Sequence, residues 1–182
     1  LLDKGARPNA KPKFGAPPFH NAVQEGPLEL VKKMLDKGAD PDTAYHSGDV
    51  LTLAIVMKHP EIASLLLDKG ARPSASALYR AESSGHLELL KKMLDKGADP
   101  NAKDPGGHPI LLGAIMGKRH EIALLLLERG ARANVELARG GVSYTIDTIT
   151  EMRKTVAAED LYLIIGADNF ERMRGLYFDD VT

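Results

Sequence analysis

The side chains best suited to chemistry lie near the carboxyl end of the chain, in two short stretches. SYT at 143–145 follows a Gly-Gly pair, and GAD at 166–168 follows the apolar run LYLII. Hydroxyl and carboxylate groups at the ends of buried strands commonly bind polar parts of small molecules. A structural interpretation stays open for each stretch, because Ser143 can cap a helix and Asp168 can form a turn.

Histidines and one Gly-rich segment are the other candidates for a site. The chain has 6 His and no Cys. No two of these histidines are four residues apart, so their spacing does not indicate a metal site. KDPGGH at 103–108 lacks the Gly-Lys-Ser/Thr of a phosphate-binding loop, and a turn is the simpler interpretation. The sequence therefore predicts neither a catalytic residue nor a metal site from the histidines or from the Gly-rich segment.

The composition narrows the classes of partner. The 182 residues include 24 Lys and Arg against 25 Asp and Glu, for a formal net charge of −1. This balance gives no reason to expect nucleic acid or an anionic membrane as a partner. No apolar run reaches the roughly 18 residues of a membrane span. Absence of Cys fits a reducing compartment, and we expect the protein to be cytoplasmic.

Repeated helical segments must position whatever site the chain carries. LELVKKMLDKGADP at 28–41 recurs as LELLKKMLDKGADP at 87–100, and similar segments occupy 61–73 and 121–133. Their apolar residues have helical spacing, and each segment ends at a glycine that can adopt the left-handed conformation of a helix end. These glycines, with Gly5, follow one another at steps of 33, 32, 27 and 33 residues.

A second recurring phrase identifies the repeat. It reads PPFHNA at 17–22, VLTLA at 50–54, SALYRA at 76–81 and PILLGA at 109–114, and each final Ala precedes a Glu by seven residues. The phrase and the period resemble the ankyrin repeat. This resemblance implies a mainly α-helical solenoid over 1–133.

The predicted array has a partial repeat at 1–11 and then four units. The 27-residue step leaves no room for a hairpin finger in the third unit. Endings in GADP alternate with endings in GARP or GARA, which indicates duplication of a two-repeat block. The same alternation leads us to expect at least one further repeat upstream of Leu1.

Ankyrin arrays typically bind proteins through a concave face made of finger tips and the ends of first helices. We call this surface the finger face. We favour direct contact with a partner for Phe14 and Tyr45, whereas Val56 and Met116 could instead pack between repeats. The predicted finger face comprises Lys13, Phe14, Gln24, Glu25, Tyr45, His46, Val56, Met57, Ser83, Ser84, His108 and Met116.

The sequence changes character at Asn134. NVELA at 134–138 and LYLIIG at 161–166 read as strands, and an apolar helical stripe from Ile146 to Val156 lies between them. Strand, helix and strand in this order predict an incomplete α/β crossover unit over 134–182. We expect 134–166 to dock on the last repeat over Leu124, Leu125 and Leu127, and residues beyond about 170 to be the least ordered.

VELARGGVSYTIDTITEMRK and LYLIIGADNFERM resemble nicotinate-nucleotide adenylyltransferase. That family has a doubly wound, Rossmann-like nucleotide-binding fold and transfers AMP from ATP to nicotinate mononucleotide with Mg²⁺. The family usually has a Trp-Tyr pair where this chain has Leu-Tyr at 176–177. The resemblance implies a nicotinate and nucleotide site formed by Ser143, Tyr144, Thr145, Gly166, Ala167, Asp168 and Tyr177.

Two motifs on which that chemistry depends are missing. The 182 residues contain neither His-x-Gly-His nor the Ser-Ser/Thr-x-Arg turn that would bind the triphosphate. The sequence therefore predicts a non-catalytic, protein-binding ankyrin module that needs no cofactor as it stands. The alternative is a truncated nicotinate-nucleotide adenylyltransferase of NAD biosynthesis, which would use ATP and Mg²⁺ once completed.

Overall fold

The computed structural model describes residues 8–10, 12–46 and 48–131. This part of the chain contains eight α-helices in four antiparallel pairs, and we number the pairs as units one to four. The helices are α1 (Pro18–Glu25), α2 (Leu28–Asp36), α3 (Val50–Val56), α4 (Pro60–Asp68), α5 (Ala75–Ser83), α6 (Leu87–Asp95), α7 (Ile110–Met116) and α8 (His120–Glu128).

The helices form two layers. The first helices α1, α3, α5 and α7 contact one another in chain order, and the second helices α2, α4, α6 and α8 do the same. Each unit contributes a fully buried large side chain from its first helix to the core between the layers. Contacts between successive units build the continuous core of a solenoid. These equivalent core residues are Phe19, Leu51, Leu78 and Leu111.

A glycine follows the second helix of each unit (α2, α4, α6 and α8) and has the left-handed conformation predicted from the sequence. The φ angles of Gly38, Gly70, Gly97 and Gly130 are 86°, 94°, 89° and 87°. After the first of them, the backbone N–H of Ala39 donates to the carbonyl of Met34 at 2.9 Å, and the three other units repeat this bond. The bond closes the helix end and turns the chain toward the next unit.

The position four residues after each glycine links neighbouring units. Asn9 donates to the carbonyl oxygen of Gly38 at 2.7 Å and accepts from the N–H of Asp40 at 2.8 Å. Asp42 accepts from the N–H of Arg72 at 2.8 Å. Asn101 donates to the carbonyl oxygen of Gly130 at 3.4 Å. These bonds hold successive loops in register.

The connections between units differ in their fingers. β1 (Ala44–Tyr45) and β2 (Gly48–Asp49) form a two-stranded antiparallel hairpin before α3. A single bridge between Lys103 and Pro109 stands in the same place before α7. Only residues 69–74 separate α4 from α5, and no strand lies among them. The position that links loops elsewhere is here Ser74, whose Oγ caps α5 by accepting from Ala77 N at 3.1 Å.

The sequence-based prediction for the tail falls outside the described residues. The strand-helix-strand unit predicted over 134–182 lies there, as does most of the partial repeat at 1–11. Within the described part, the β1–β2 hairpin is the one sheet, and nothing there resembles a Rossmann-like unit.

Candidate protein-binding surface

Large apolar side chains stand exposed at the ends of two first helices and in the first finger. Phe14 is 91% exposed, Val56 50% and Met116 58%. Met57, next to Val56, is also exposed. The alternative interpretation of Val56 and Met116, as packing between repeats, is therefore wrong. Exposed Met and aromatic side chains on a rigid surface are typical of protein interfaces.

The finger residues fall into two groups. Lys13, His46 and His108 are exposed. Tyr45 is half-buried, and its ring lies edge-on to the His20 ring with 5.3 Å between centroids. Tyr45 therefore packs the finger against α1, and its contact with a partner stays a prediction.

His20 is a buried ring without a hydrogen bond. Neither ring nitrogen has a hydrogen-bond partner, and the residue is almost fully buried. His20 occupies the histidine position of the repeat phrase PPFHNA, but its ring makes no hydrogen bond to the backbone here. Burial lowers the pKa of His20, so its ring is neutral at pH 7 and packs as an apolar group.

The polar part of the finger face is tied to the following unit. Gln24 is exposed, and its carbonyl oxygen lies 3.2 Å from Nε2 of His59. The equivalent carbonyl of the third unit, Ser83, accepts from Nη2 of Arg119 at 2.9 Å. Glu25 and Ser84 complete this set as exposed residues.

A buried ion pair lies beneath this surface, and the sequence analysis missed it. Nη1 of Arg119 donates to Oε1 of Glu82 at 2.8 Å, and the Glu82 side chain is 2% exposed. Burial raises the pKa of Glu82, and the nearby Arg119 guanidinium counteracts part of that effect. A Cβ on Gly113 would lie 3.2 Å from Oε2 of Glu82, so glycine leaves room for the carboxylate.

The turn between the two helices of each unit is left-handed, whichever residue occupies it. Gly26 and Gly85 have φ angles of 80° and 74° in units one and three. Lys58 and Lys118 have φ angles of 60° and 55° in units two and four. The residue at this turn therefore alternates between Gly and Lys, with the same period of two units as the repeat endings in the sequence.

Ion pairs also connect neighbouring units in the layer formed by the second helices. Asp36 pairs with Lys69 at 2.6 Å, Asp68 with Lys92 at 2.7 Å, and Asp95 with Arg129 at 2.6 Å. Adjacent lysines on a second helix suggest a solvated face, but Lys92 instead pairs with Asp68 and with the hydroxyl of Ser64. A cleft of about 610 Å³ lies between α4 and α6, and Lys92 lines it.

Neither a metal site, nor a membrane-spanning helix, nor the predicted nicotinate site falls within the described residues. Within 8–10, 12–46 and 48–131, no three His, Asp or Glu side chains are grouped so that they could hold a metal ion. In the same part, no helix is both long and apolar enough to cross a membrane. The residues predicted to bind nicotinate and nucleotide, between Ser143 and Tyr177, lie outside it.

Paired antiparallel helices stacked in two layers, with fingers between units, define a helical repeat protein. A family model described as ankyrin repeats in three copies matches residues 1–77, and one described as ankyrin repeats in many copies matches 77–127. The chain belongs to the ankyrin-repeat family.

Two relatives match this chain over a small part of their own length. Human Rabankyrin-5 is 26% identical over 160 residues, which is 77% of this chain and 12% of the relative. The 2-5A-dependent ribonuclease of Mus musculus is 45% identical over 49 residues, which is 26% of this chain and 7% of the relative. The chain thus spans a small fraction of the length of both.

Proposed function

We propose that this chain is a protein–protein interaction module that binds its partner through the finger face. The observation that carries the proposal is the row of exposed apolar side chains, Phe14, Val56, Met57 and Met116, on an ordered helical scaffold. Such side chains cost free energy in water and gain it when a partner covers them. The overall charge of −1 favours a protein partner over nucleic acid, and the Cys-free composition favours a cytoplasmic location.

The test compares the two layers of the array. Phe14→Ser, Met57→Ser and Met116→Ser remove exposed contacts and should leave folding almost unchanged. Lys32→Ser and Lys91→Ser are matched controls on the second helices. Proteins retained from a lysate by the wild-type chain and by the control should be lost with the finger-face variant. Equal losses with both variants would show that binding uses another surface.

Tyr45 needs a milder substitution. Its ring contacts His20, so Tyr45→Ala would open the packing beside a buried side chain. Tyr45→Phe keeps the ring and removes only the hydroxyl. We therefore expect Phe14 to separate binding from stability more clearly than Tyr45 does.

We propose further that residues 134–182 are a catalytically incomplete segment related to nicotinate-nucleotide adenylyltransferase. The resemblance of SYTIDT and IIGAD supports this relation, and the missing His-x-Gly-His motif supports the lack of activity. The purified chain with ATP, Mg²⁺ and nicotinate mononucleotide should release no pyrophosphate above a blank. Turnover that disappears in Asp168→Asn would instead favour the alternative, a truncated enzyme that keeps its active site.

A further inference from the structure

The finger β1–β2 is held to α1 by a contact between two rings. Tyr45 of β1 lies edge-on to His20 of α1, with 5.3 Å between the ring centroids. The finger is short, with two residues in each strand, at 44–45 and 48–49. An isolated two-stranded hairpin is marginally stable at best, so its position depends on what it packs against. In this array the ring of His20 provides part of that support.

His20 occupies a place that does not stabilise a positive charge. The residue is 5% exposed, and both ring nitrogens are buried without a hydrogen-bond partner. Burial lowers its pKa, and none of the described charged residues counteracts that effect. A proton added to the ring in place would therefore create a charge that neither water nor the protein solvates. The ring is stable in this position only while it is neutral.

The titratable residues of the neighbouring elements do not compensate such a charge. His46 is exposed, and its ring centroid lies 4.4 Å from that of Tyr45, so a proton on His46 would add a like charge. Asp49 ends the finger, and its carboxylate accepts from the Ser74 hydroxyl and caps α3. Glu25 is exposed at the end of α1. The helix α3 has no titratable residue, and those of α2 are exposed in the other layer: Glu29, Lys32, Lys33 and Asp36.

The finger before α7 has the opposite arrangement. His108 is exposed there, and its Nδ1 lies 3.4 Å from the carboxylate of Asp104. A proton on His108 is therefore compensated by a nearby negative charge. In the preceding helix α5, Tyr79 stands at the position that His20 has in α1. The two fingers should therefore respond differently to acid.

We propose that His20 makes the finger β1–β2 a pH-sensitive element: in mildly acidic solution the ring takes up a proton, and the finger is released from α1 so that the charged ring reaches water. Tyr45 is the cover that can move, because it belongs to a short surface hairpin, whereas the core fixes the helices. Once released, the hairpin loses its strand pairing. Tyr45 and His46 belong to the finger face, so acid would also weaken binding there; that consequence rests on the proposed function, and the release itself does not.

Amide hydrogen exchange of the full chain, followed by NMR, tests the release. The backbone N–H of Val50 donates to the Thr43 carbonyl at 2.9 Å across the base of this finger. The corresponding N–H of Ile110 donates to the Ala102 carbonyl at 3.0 Å before α7. The ratio of the two protection factors, Val50 over Ile110, removes effects of pH that are common to both. Because a solvated histidine has a pKa of about 6.5, we expect this ratio to fall about tenfold between pH 7.5 and pH 5.

Substitutions assign the effect to one ring. His20→Leu copies Leu112, the equivalent residue of unit four, and should make the ratio independent of pH. His20→Gln, a second uncharged substitution, should do the same. His46→Gln removes the exposed ring of the same finger and is the matched control, which should keep most of the pH dependence. In the wild type, the ring signals of His20 should titrate over the range in which Val50 loses protection.

Two outcomes would overturn the inference. The first is a constant ratio in the wild type, whether neither amide loses protection in acid or both lose it equally. The second is a pH dependence that survives in both His20 variants and disappears in His46→Gln, since the exposed ring would then be its cause. Neither outcome bears on whether the finger face binds a protein, so the proposed function is tested separately.

Discussion

Glu82 is a carboxylate at a position where the other three units have an apolar residue. Val23 and Ile55 are buried there, and Ile115 is half-buried. Removing a carboxylate from water is costly, and the contact with Arg119 from the next unit offsets that cost only in part, because the pKa of Glu82 remains raised. The pair therefore links units three and four, and we expect it to add little to stability.

The raised pKa of Glu82 predicts a pH dependence of stability. A carboxyl whose pKa is higher in the folded state contributes stability fully below its unfolded pKa of about 4.3, and loses it as the pH rises through the folded value. Glu82→Gln cannot ionise. The unfolding free energy of the wild type minus that of Glu82→Gln, from urea titrations between about pH 4 and pH 7, should therefore fall as the pH rises.

Glu88→Gln, which changes an exposed carboxylate of α6, is the matched control for that series. A difference that grows with pH for Glu82→Gln would mean that attraction to Arg119 outweighs burial. That outcome would reverse the direction assigned to the pKa of Glu82.

At the scale of elements, α6 carries two adjacent lysines with different surroundings. Lys91 is exposed on the outer surface. Nζ of Lys92 lies 2.6 Å from Oγ of Ser64 and 2.7 Å from Oδ2 of Asp68, both on α4. The contact between α4 and α6 therefore includes an ion pair made by a lysine of α6 itself. The contact between α2 and α4 also includes an ion pair, but its lysine, Lys69, lies just after the end of α4.

Replacing these lysines one at a time should reveal the difference. Lys92→Met keeps the length of the side chain and removes the charge, so it should lower the free energy of unfolding by about 1 kcal/mol. Lys91→Met should change it by less than about 0.5 kcal/mol. Both values are measurable by chemical denaturation. Equal effects would mean that the link to Asp68 and Ser64 does not stabilise the helix pair.

At the scale of the whole molecule, the fourth unit exposes an apolar residue where the others are polar. Leu124 is 45% exposed, and its equivalents are Lys32, Ser64 and Lys91. Leu125, the next residue along α8, is buried. Leu124 and the half-buried Leu127 remain available for cover by residues 134–166.

Deleting 134–182 tests that cover. If the tail lies on the fourth unit, the shortened chain should be less soluble or melt at a lower temperature, because it exposes apolar surface. Leu124→Lys, which copies units one and three, should restore the solubility of the shortened chain and have little benefit in the full one. A shortened chain as soluble and as stable as the full chain would show that the tail does not contact the array.

Elements with local causes could be predicted from the sequence. Three features depend only on a few neighbouring residues: the glycine after the second helix of each unit, the apolar residues at helical spacing, and the short connection before the third unit. The first two recur in all four units, which made them easy to recognise. The exposed apolar ends of α3 and α7 were among the predicted contacts for the same reason. Whether Val56 and Met116 packed or faced water could not be decided, because that depends on the neighbouring units.

The sequence by itself determined the repeat, its period and its helix ends, and the residues of the finger face stay a prediction. The tertiary structure decided which charges are paired, since the partner of Glu82 is 37 residues away and that of Lys92 lies on another helix. It also decided that His20 is a buried neutral ring and that Lys58 is held at positive φ. Periodicity shows which residues share a position in the repeat, whereas pairing and burial depend on what the next unit places opposite them.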